Sequence, residues 1–535
     1  MANPPTGWCR RPGVRINRST FARTAPAALS GLLSGYAALA VAELVSAAVR
    51  PEAGPVTAVG GAAIDRTPAA VKDWAIRQFG TADKLVLQLG ILVTLGLLAV
   101  ALGLLALRHR RTGAAGVLLF GLVAGAAALN RPDSAGPADA LPSLVGALVG
   151  AGLLYFLVGR LPAVREETAG ADGWSRRGFL VAAGAAALAS TAAGALGRGL
   201  NSSRGRGAEA SRAAVRLPAP ASPAAPLPRG VALRVPGLTP FTTPNADFYR
   251  VDTALVVPKV DADTWRLRVH GKGVPRPRTY TYADLLARDL IERDITLTCV
   301  SNEVGGPYAG SARWLGVPLA DLLRECGVRP PSGNGPADQL VARSVDGMTL
   351  GSPVEDVMDG RDAMLAVGMN GEPLPFTHGF PVRMLVPGLY GYVSACKWIE
   401  DLELTTFDAY DPYWVKRKWA RKAPIKTQAR IDTPKPFARP ASGTVTIAGV
   451  AWAQHRGIRH VEVRIDDGPW QYADLAAQAG TDTWRQWSHP WKATPGGHTL
   501  TVRATDGTGA VQTEERARTI PDGASGWHSV VVSVA

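Results

Sequence analysis

The stretch DITLTCVSNEVGG, residues 294–306, decides how the middle of this chain folds. Its apolar and β-branched residues at 295–298 predict a strand, and Cys299 follows directly, where polar residues and a glycine pair begin a loop. Such a position presents a side chain to a cleft from a rigid support. The thiol of Cys299 therefore has three interpretations: a soft metal ligand, a catalytic nucleophile, or a small buried hydrophobic residue.

A second stretch, HGFPVRMLVPGLYGYVSACKW at residues 378–398, favours the first interpretation. It concentrates His378, Arg383 and Lys397 along two predicted strands and a glycine loop. An arginine fork, a lysine point charge and a histidine donor together suit a phosphate group. One thiolate and a separate cluster for an anionic group indicate a phosphate-bearing metal cofactor better than a zinc site.

Five motifs resemble those of the sulfite oxidase family of molybdenum enzymes. They are TPNADFYRVD (243–252), LTCVSNEVGG (297–306), SARWLGVPLADLL (311–323), NGEPLPFTHGFPVRMLVPGLYG (370–391) and CKWIEDLEL (396–404). The resemblance covers roughly residues 240–535. It implies an oxidoreductase that transfers an oxygen atom to or from a small-molecule substrate, and a fold with an α+β molybdopterin-binding domain followed by an immunoglobulin-like β-sandwich.

The resemblance also implies a molybdenum–pyranopterin cofactor, with Cys299 as the single thiolate ligand of the metal. The residues that it implies for cofactor binding are Asn245, Phe248, Tyr249, Cys299, Ser344, His378, Arg383, Ala395, Cys396 and Lys397. No haem or flavin motif accompanies them, so an external electron carrier is expected.

The sequence departs from the family around the expected substrate. Sulfite-oxidising members resemble Cys-Ala-Gly-Asn-Arg-Arg at the ligand and carry an arginine before the asparagine of the first loop. This chain has Val-Ser-Asn-Glu-Val after Cys299 and a proline at 244, so two expected positive charges are missing. Arg456 matches a third, and Arg313 is a candidate substitute. Sulfite is therefore not the favoured substrate, and a sulfoxide-type reductase on the same scaffold is the alternative.

The net charge is confined to the first part of the chain. Residues 1–234 carry 25 Lys and Arg against 11 Asp and Glu, and residues 235–535 carry 33 of each. The positive residues flank apolar segments, which is the pattern of a membrane protein and argues against nucleic-acid binding. The four cysteines show no CxxC spacing, which argues against a disulfide framework.

Five apolar segments, near 29–49, 84–107, 113–130, 141–159 and 178–197, predict about five transmembrane helices. Arginine clusters lie before the first, between the second and third, and between the fourth and fifth. All three clusters share one side, which the positive-inside rule makes cytoplasmic. The chain after the fifth helix is then extracytoplasmic. Only His109 lies in this part, so we interpret the bundle as an anchor and not as a haem protein.

The stretch Ser175-Arg176-Arg177-Gly178-Phe179-Leu180 resembles a twin-arginine export signal, here internal. The alternative is simple positive-inside flanking. Within the first helix, Glu43 is the one carboxylate, and a functional role competes with a side chain that reaches polar groups at the helix end.

The predicted organisation has five parts. Residues 1–28 form a cytoplasmic basic tail, 29–198 the membrane domain, 199–240 a Pro/Ala-rich linker, 241–430 the molybdopterin-binding domain and 431–535 the immunoglobulin-like domain. Whether that last domain forms a homodimer is left open.

Two other classes of function compete with a molybdenum oxidoreductase. A thiol enzyme would pair Cys299 with His378. A membrane-tethered binding protein would use the C-terminal sandwich and would leave the His–Arg–Lys cluster unexplained.

Overall fold

The structure is a computed structural model that describes residues 18–68, 71, 78–79, 83–161 and 176–535. The basic residues of the predicted tail before Arg18, as well as Arg165 and Ser175, lie outside the described residues. The chain divides into two compact units, residues 1–204 and 205–535.

The first unit is helical. Its helices are α1 (Arg18–Ala48), α2 (Pro55–Arg66), α3 (Asp83–Ala106), α4 (Arg110–Leu129), α5 (Leu141–Gly159) and the first part of α6 (Arg176–Ala214). Small residues let the helices approach closely: a methyl group added at Gly103 would lie 2.3 Å from the carbonyl oxygen of Ala27. Among the residues that the structure describes, five helices are long and apolar enough to cross a membrane, namely Thr24–Ala48, Leu85–Ala106, Arg110–Leu129, Pro137–Gly159 and Arg177–Ala214.

Two predicted boundaries are wrong in this region. Helix α1 begins at Arg18 and so includes part of the segment predicted as a tail. Helix α6 continues to Ala214, so residues 199–214 are helical where composition predicts an extended linker. The reason is visible in the sequence, because the segment 199–214 has alanine, arginine and serine but no proline before position 218.

The rest of the predicted linker is part of the second unit and not a free tether. Arg212 donates hydrogen bonds to the carbonyl oxygens of Leu374 (2.8 Å) and Pro373 (2.7 Å). Farther along, Ser222 accepts a hydrogen bond from the backbone N–H of Glu292 at 2.9 Å. Such contacts hold the segment against the strands that follow.

The second unit begins with a mixed domain rich in strands. One sheet has the strand order β2-β1-β10-β5-β6, and the other has the order β3-β4-β7-β8 with β9 paired to β7. Its strands are β1 (Arg266–Gly271), β2 (Arg278–Thr281), β3 (Ile291–Thr298), β4 (Ala309–Pro318), β5 (Gln339–Ser344), β6 (Thr349–Pro353), β7 (Met364–Met369), β8 (Glu372–Pro373), β9 (Arg383–Leu385) and β10 (Ile399–Thr405). The short helices are α7 (Tyr282–Leu286), α8 (Leu319–Glu325), α9 (Val354–Met358) and α10 (Gly391–Ser394).

Two four-stranded sheets complete the chain, with strand orders β11-β12-β16-β15 and β14-β13-β17-β18. The strands are β11 (Gln428–Thr433), β12 (Gly443–Trp452), β13 (Ile458–Ile465), β14 (Gln471–Tyr472), β15 (Asp474–Leu475), β16 (Arg485–Ala493), β17 (Gly496–Asp506) and β18 (His528–Val534). One core contains buried residues of both sheets, including Ile447, Trp487 and Val502. Since β11 begins at Gln428, the predicted division at 430/431 cuts through a strand.

A helical first part followed by a β-rich domain confirms the coarse prediction. The membrane bundle and the immunoglobulin-like assignment stay predictions.

Candidate functional site

Cys299 lies where the sequence analysis places it, directly after β3. Strands β3 and β4 form an antiparallel pair whose register ends with Thr298 opposite Ala309, and residues 299–308 form the connecting loop. The backbone N–H of Cys299 donates to the carbonyl oxygen of Tyr308 at 2.9 Å, and the side chain is buried. The hairpin thus holds the thiol at a fixed strand end.

The loop after Cys299 is held from inside and from outside. Asn302 accepts a hydrogen bond from the backbone N–H of Tyr308 at 2.7 Å, which closes the loop on itself. From the C-terminal sheets, Arg430 donates to the carbonyl oxygen of Gly306 at 2.8 Å. Gly305 has φ +80°, and a methyl group added there would lie 2.2 Å from the His528 ring. The C-terminal sheets therefore fix the loop that carries the thiol.

The thiol of Cys299 is neutral in its own surroundings. Burial raises its pKa, and the hydrogen bond from the backbone N–H of Ser301 (3.4 Å to Sγ) and the positive charge of Lys397 oppose that rise without cancelling it. A cation bound at the sulfur would remove the proton, because a coordinating thiol ionises. The nearby N–H donor suits such a thiolate.

His378 and Arg383, from the second stretch, are in direct contact. The Nε2 atom of His378 lies 3.0 Å from the carbonyl oxygen of Asn245, and Arg383 Nη1 donates to the carbonyl oxygen of His378 at 3.3 Å. Burial and the charge of Arg383 lower the pKa of His378 to about 4, so the imidazole is neutral at pH 7. No hydrogen bond joins His378 to Cys299, so the described residues form no Cys–His dyad.

Arg383 is a buried cation without a carboxylate. Its guanidinium lies 5.2 Å from the centre of the Trp314 ring, its Nε atom has no hydrogen-bond partner, and it forms no ion pair within the described part of the chain. Burial lowers its pKa to about 10. A buried charge of this kind is costly unless an anion compensates it.

Lys397 already has a partner. Its Nζ atom lies 2.9 Å from Asp252 Oδ2, both side chains are nearly buried, and Trp398 lies beneath the ammonium group at 4.6 Å. Asp252 also pairs with Arg250 at 2.9 Å. Of the two cations among the predicted phosphate ligands, Lys397 is therefore paired with a carboxylate and Arg383 is not, within the described part of the chain.

The loop around residues 245–249 covers this cluster. The side chain of Asn245 is bonded to Asn370 (2.8 Å) and to Glu372 (2.6 Å). Phe248 packs edge-on against His378 with ring centres 5.6 Å apart, and Tyr249 stacks on Phe248 at 5.2 Å. Burial raises the pKa of Tyr249, so its hydroxyl is un-ionised at pH 7.

Ser344, Ala395 and Cys396 lie on the far side of the cluster. Ser344 Oγ accepts a hydrogen bond from the backbone N–H of Asp346 at 3.5 Å, and burial raises the pKa of that carboxyl. Cys396 is buried, and burial together with the charge of Asp346 raises the pKa of its thiol. Ala395 ends the short helix α10.

The two arginines predicted for catalysis lie in different places. Arg313 forms a double hydrogen bond with Asp294 (3.0 and 2.7 Å), its register partner on β3. At about 3.4 Å per residue, Asp294 lies roughly 17 Å along the strand from Cys299. Arg313 therefore does not reach the thiol, and its contact with Asp294 stabilises the pairing of β3 with β4.

Arg456 lies in a segment that contacts the end of β3. Gln454, two residues earlier, donates to Thr298 Oγ1 at 2.9 Å, which brings this segment against the end of β3. Burial raises the pKa of Tyr390, and the charge of Arg456 opposes that rise. Arg456 itself donates to Asp506 at 2.9 Å.

Sequence reasoning missed Tyr390 and Gln454. Tyr390 precedes α10, and a methyl group added at the next residue, Gly391, would lie 3.8 Å from the carbonyl oxygen of Thr298. Gln454 is fully buried, and its Oε1 atom has no partner. Tyr390 belongs to the motif at residues 370–391, which could have indicated it, but nothing in the sequence shows that Gln454 contacts β3.

Part of this chain is similar in sequence to known proteins. The profile of the family described as "Oxidoreductase molybdopterin binding domain" matches residues 254–414. Mitochondrial sulfite oxidase of Mus musculus is 29% identical over 291 residues, which cover 46% of this chain and 52% of that protein. The nitrate reductase [NAD(P)H] of Hordeum vulgare is 31% identical over 271 residues, covering 41% and 30%. Among solved structures, the sulfane dehydrogenase SoxCD of Paracoccus pantotrophus aligns over 56% of this chain and 84% of that chain, with 25% identity and a TM-score of 0.48.

The second unit thus contains a molybdopterin-binding oxidoreductase domain. This part of the chain is similar to sulfite oxidases, which are among the relatives that it matches. It spans about half the length of the sulfite oxidases that it matches.

The residues present fit such a cofactor. The buried Arg383 with its unpartnered Nε suits a phosphate, and Cys299 supplies one soft ligand with an N–H donor beside it. Gly379 (φ +109°) lets the chain pass close to both cations, because a methyl group there would lie 3.0 Å from Cβ of Arg383 and 3.1 Å from Cβ of Lys397.

Proposed function

We propose that this chain is an oxidoreductase that moves an oxygen atom between water and a small molecule at a molybdenum–pyranopterin cofactor. The observation that carries the proposal is the pairing of a hairpin-held thiol with a buried arginine that has no anion of its own. A structural cysteine requires no such neighbour, and a Cys–His nucleophile would need a hydrogen bond that is not formed within the described residues.

Each residue has a distinct role in this proposal. Arg383 binds the phosphate of the cofactor, and the neutral His378 orients the loop at Asn245. Cys299 ligates the metal, and the backbone N–H of Ser301 stabilises its thiolate. Tyr249, stacked on Phe248, contributes an un-ionised hydroxyl. When bound, the molybdenum supplies two-electron redox chemistry and an oxygen-atom transfer site.

We also propose that the first unit anchors the enzyme in a membrane with the catalytic domain on the extracytoplasmic side. Five apolar helices, the one-sided arginine clusters and the Arg176–Arg177 pair support this. Electrons then pass to or from an external carrier. A homodimer through the C-terminal sheets stays an open part of the proposal.

The test uses the full-length chain purified in detergent. Cys299→Ser replaces a soft thiolate with a hard, poorly ionised hydroxyl at nearly the same volume. We expect it to fold and to retain the pterin while dye-linked turnover falls at least a hundredfold. Full turnover in cofactor-loaded Cys299→Ser protein would contradict the assignment of the metal ligand.

A further inference from the structure

A second group of metal-ligating side chains lies on the sheet β2-β1-β10-β5-β6, which is not the sheet of the hairpin that carries Cys299. The group consists of His270, Asp401 and Glu403, whose ligand atoms all lie within 4.8 Å of one another. Among the residues that the structure describes, these three form the one such group of histidine, cysteine and carboxylate side chains. The proposed cofactor site uses none of them.

Two neighbouring strands fix the positions of these side chains. Strand β1 pairs in parallel with β10, and His270 is the register partner of Glu403. Asp401 and Glu403 are two positions apart on β10, so they lie on the same face of the sheet. Leu402, between them, is fully buried on the opposite face, whereas the three polar side chains are half-buried on theirs. The donor atoms are therefore held by strands and not by a loop.

The distances suit one small cation. The Nε2 atom of His270 lies 3.0 and 2.9 Å from the two carboxylate oxygens of Asp401. Two ligands at about 2.1 Å from a tetrahedral ion are roughly 3.4 Å apart. Side-chain rotations that move the donor atoms by on the order of 1 Å therefore suffice to bring all three donors onto one ion, with the backbone unchanged.

An ion pair between His270 and Asp401 explains only part of this arrangement. The side chain of Glu403 forms no ion pair or hydrogen bond within the described residues, although a second carboxylate lies beside it. Arg268 and Arg343 are the register partners of Asp401 on the adjacent strands. In the part of the chain that the structure describes, neither arginine pairs with a carboxylate of this group. Two carboxylates this close repel each other unless a cation binds to both.

We propose that His270, Asp401 and Glu403 bind a divalent transition-metal ion of the zinc type, and that water completes its coordination. One imidazole nitrogen and two carboxylate oxygens form a donor set that Zn²⁺ accepts. Ca²⁺ and Mg²⁺ prefer oxygen donors alone, so the histidine favours the transition metals. Because the group is half-buried, the ion enters directly from solvent. This inference is independent of the molybdenum cofactor.

The ion joins the two ends of the mixed domain. Strand β1 is the first strand of that domain and β10 is the last, and His270 and Asp401 are 131 positions apart in the chain. A metal that closes a loop of this length reduces the entropy of the unfolded chain and so stabilises the folded one. Its role is therefore structural.

The experiment uses untagged full-length protein in detergent, treated with EDTA and desalted. Calorimetric titration with Zn²⁺ should show a single site per chain that the substitutions below weaken. Bound Zn²⁺ should also raise the midpoint of thermal unfolding, because it binds the folded chain in preference to the unfolded one. Co²⁺ in place of Zn²⁺ should show weak visible absorption, without the strong near-ultraviolet band of thiolate ligation.

Two substitutions and one control identify the ligands. His270→Gln and Glu403→Gln should each weaken Zn²⁺ binding at least about tenfold, because even the partners of a metal ligand contribute 10- to 100-fold to affinity. His498→Gln is the matched control. His498 also pairs with an aspartate, Asp466, at 2.8 Å, but no second carboxylate joins that pair within the described residues. Its substitution should leave Zn²⁺ binding unchanged.

Three results overturn the inference. They are no Zn²⁺ binding by the unsubstituted protein, Zn²⁺ binding that both His270→Gln and Glu403→Gln leave unchanged, and a Co²⁺ spectrum with a thiolate band. The last two would mean that the metal binds elsewhere in the chain. Should one of the two variants not fold, the other decides. The proposed function is tested separately, by molybdenum content.

Discussion

Replacing Arg383 by methionine should raise the free energy of unfolding of the cofactor-free protein and lower the amount of cofactor that it retains. The change keeps much of the side-chain volume over Trp314 and removes the charge. Burial lowers the pKa of this guanidinium from 12.5 to about 10. At about 1.4 kcal/mol per pKa unit, the charge costs the folded chain about 3 kcal/mol.

Two losses offset this gain. The hydrogen bond from Arg383 to the carbonyl oxygen of His378 (3.3 Å) contributes about 1 kcal/mol. The contact with the Trp314 ring at 5.2 Å contributes about another 1 kcal/mol. The free energy of unfolding of cofactor-free Arg383→Met should therefore rise by about 1 kcal/mol. Bound cofactor should fall about 10- to 100-fold, because the charge-assisted bonds to a phosphate are lost.

Denaturant unfolding followed by tryptophan fluorescence measures the first effect, and molybdenum and pterin content measure the second. Arg430→Met is the matched control, because Arg430 is equally buried but paired with Asp432 at 2.7 Å. It leaves the buried carboxylate of Asp432 without a cation and should destabilise the protein by about 3 kcal/mol. Normal cofactor content in Arg383→Met, or a loss of stability as large as in the control, would refute the reasoning.

Three further outcomes are expected. Gly305→Ala brings a methyl group to 2.2 Å from the His528 ring and should destabilise the protein by about 1–3 kcal/mol more than Gly371→Ala. Both glycines have positive φ (+80° and +83°), but Gly371 faces open space, so equal denaturation midpoints would contradict this prediction. Burial and nearby arginines lower the pKa of His528 to about 4, so the unfolded chain binds more protons than the folded one between pH 6.5 and 4. The free energy of unfolding should therefore fall by up to about 3 kcal/mol on acidification through that range. The same acid dependence in a His528→Gln chain would show that His528 is not its cause. Replacing Arg176 and Arg177 by lysine keeps the local charge but should block export, and unchanged protease accessibility of the catalytic domain in spheroplasts would show that the pair acts only on topology.

The local features of the site could be predicted because neighbouring residues produce them. The strand-forming run before Cys299 does form β3, and it ends at Thr298 as predicted. His378 and Arg383 are five positions apart, and the structure brings them into contact. Patterns of this kind depend on local propensity and alternation, which a single sequence displays.

Features that depend on distant residues could not be predicted. The Cys299 loop is held by Arg430 and His528, and nothing in the sequence pairs those residues with Gly305 or Gly306. The carboxylate that pairs with each cation is likewise not predictable from the sequence. Arg456 read alone suggests an anion-binding charge, and only the fold reveals that Asp506, fifty positions away, neutralises it. Helix α6 exceeds its predicted end because alanine-rich segments are helical whenever tertiary contacts support them.

X-ray absorption at the molybdenum edge tests the central claim most directly. The full-length protein should contain about one molybdenum per chain, and Cys299→Ser protein that keeps its metal should show one sulfur ligand fewer. The same number of sulfur ligands in both proteins would contradict the account, because the metal would then lie away from the hairpin that carries Cys299.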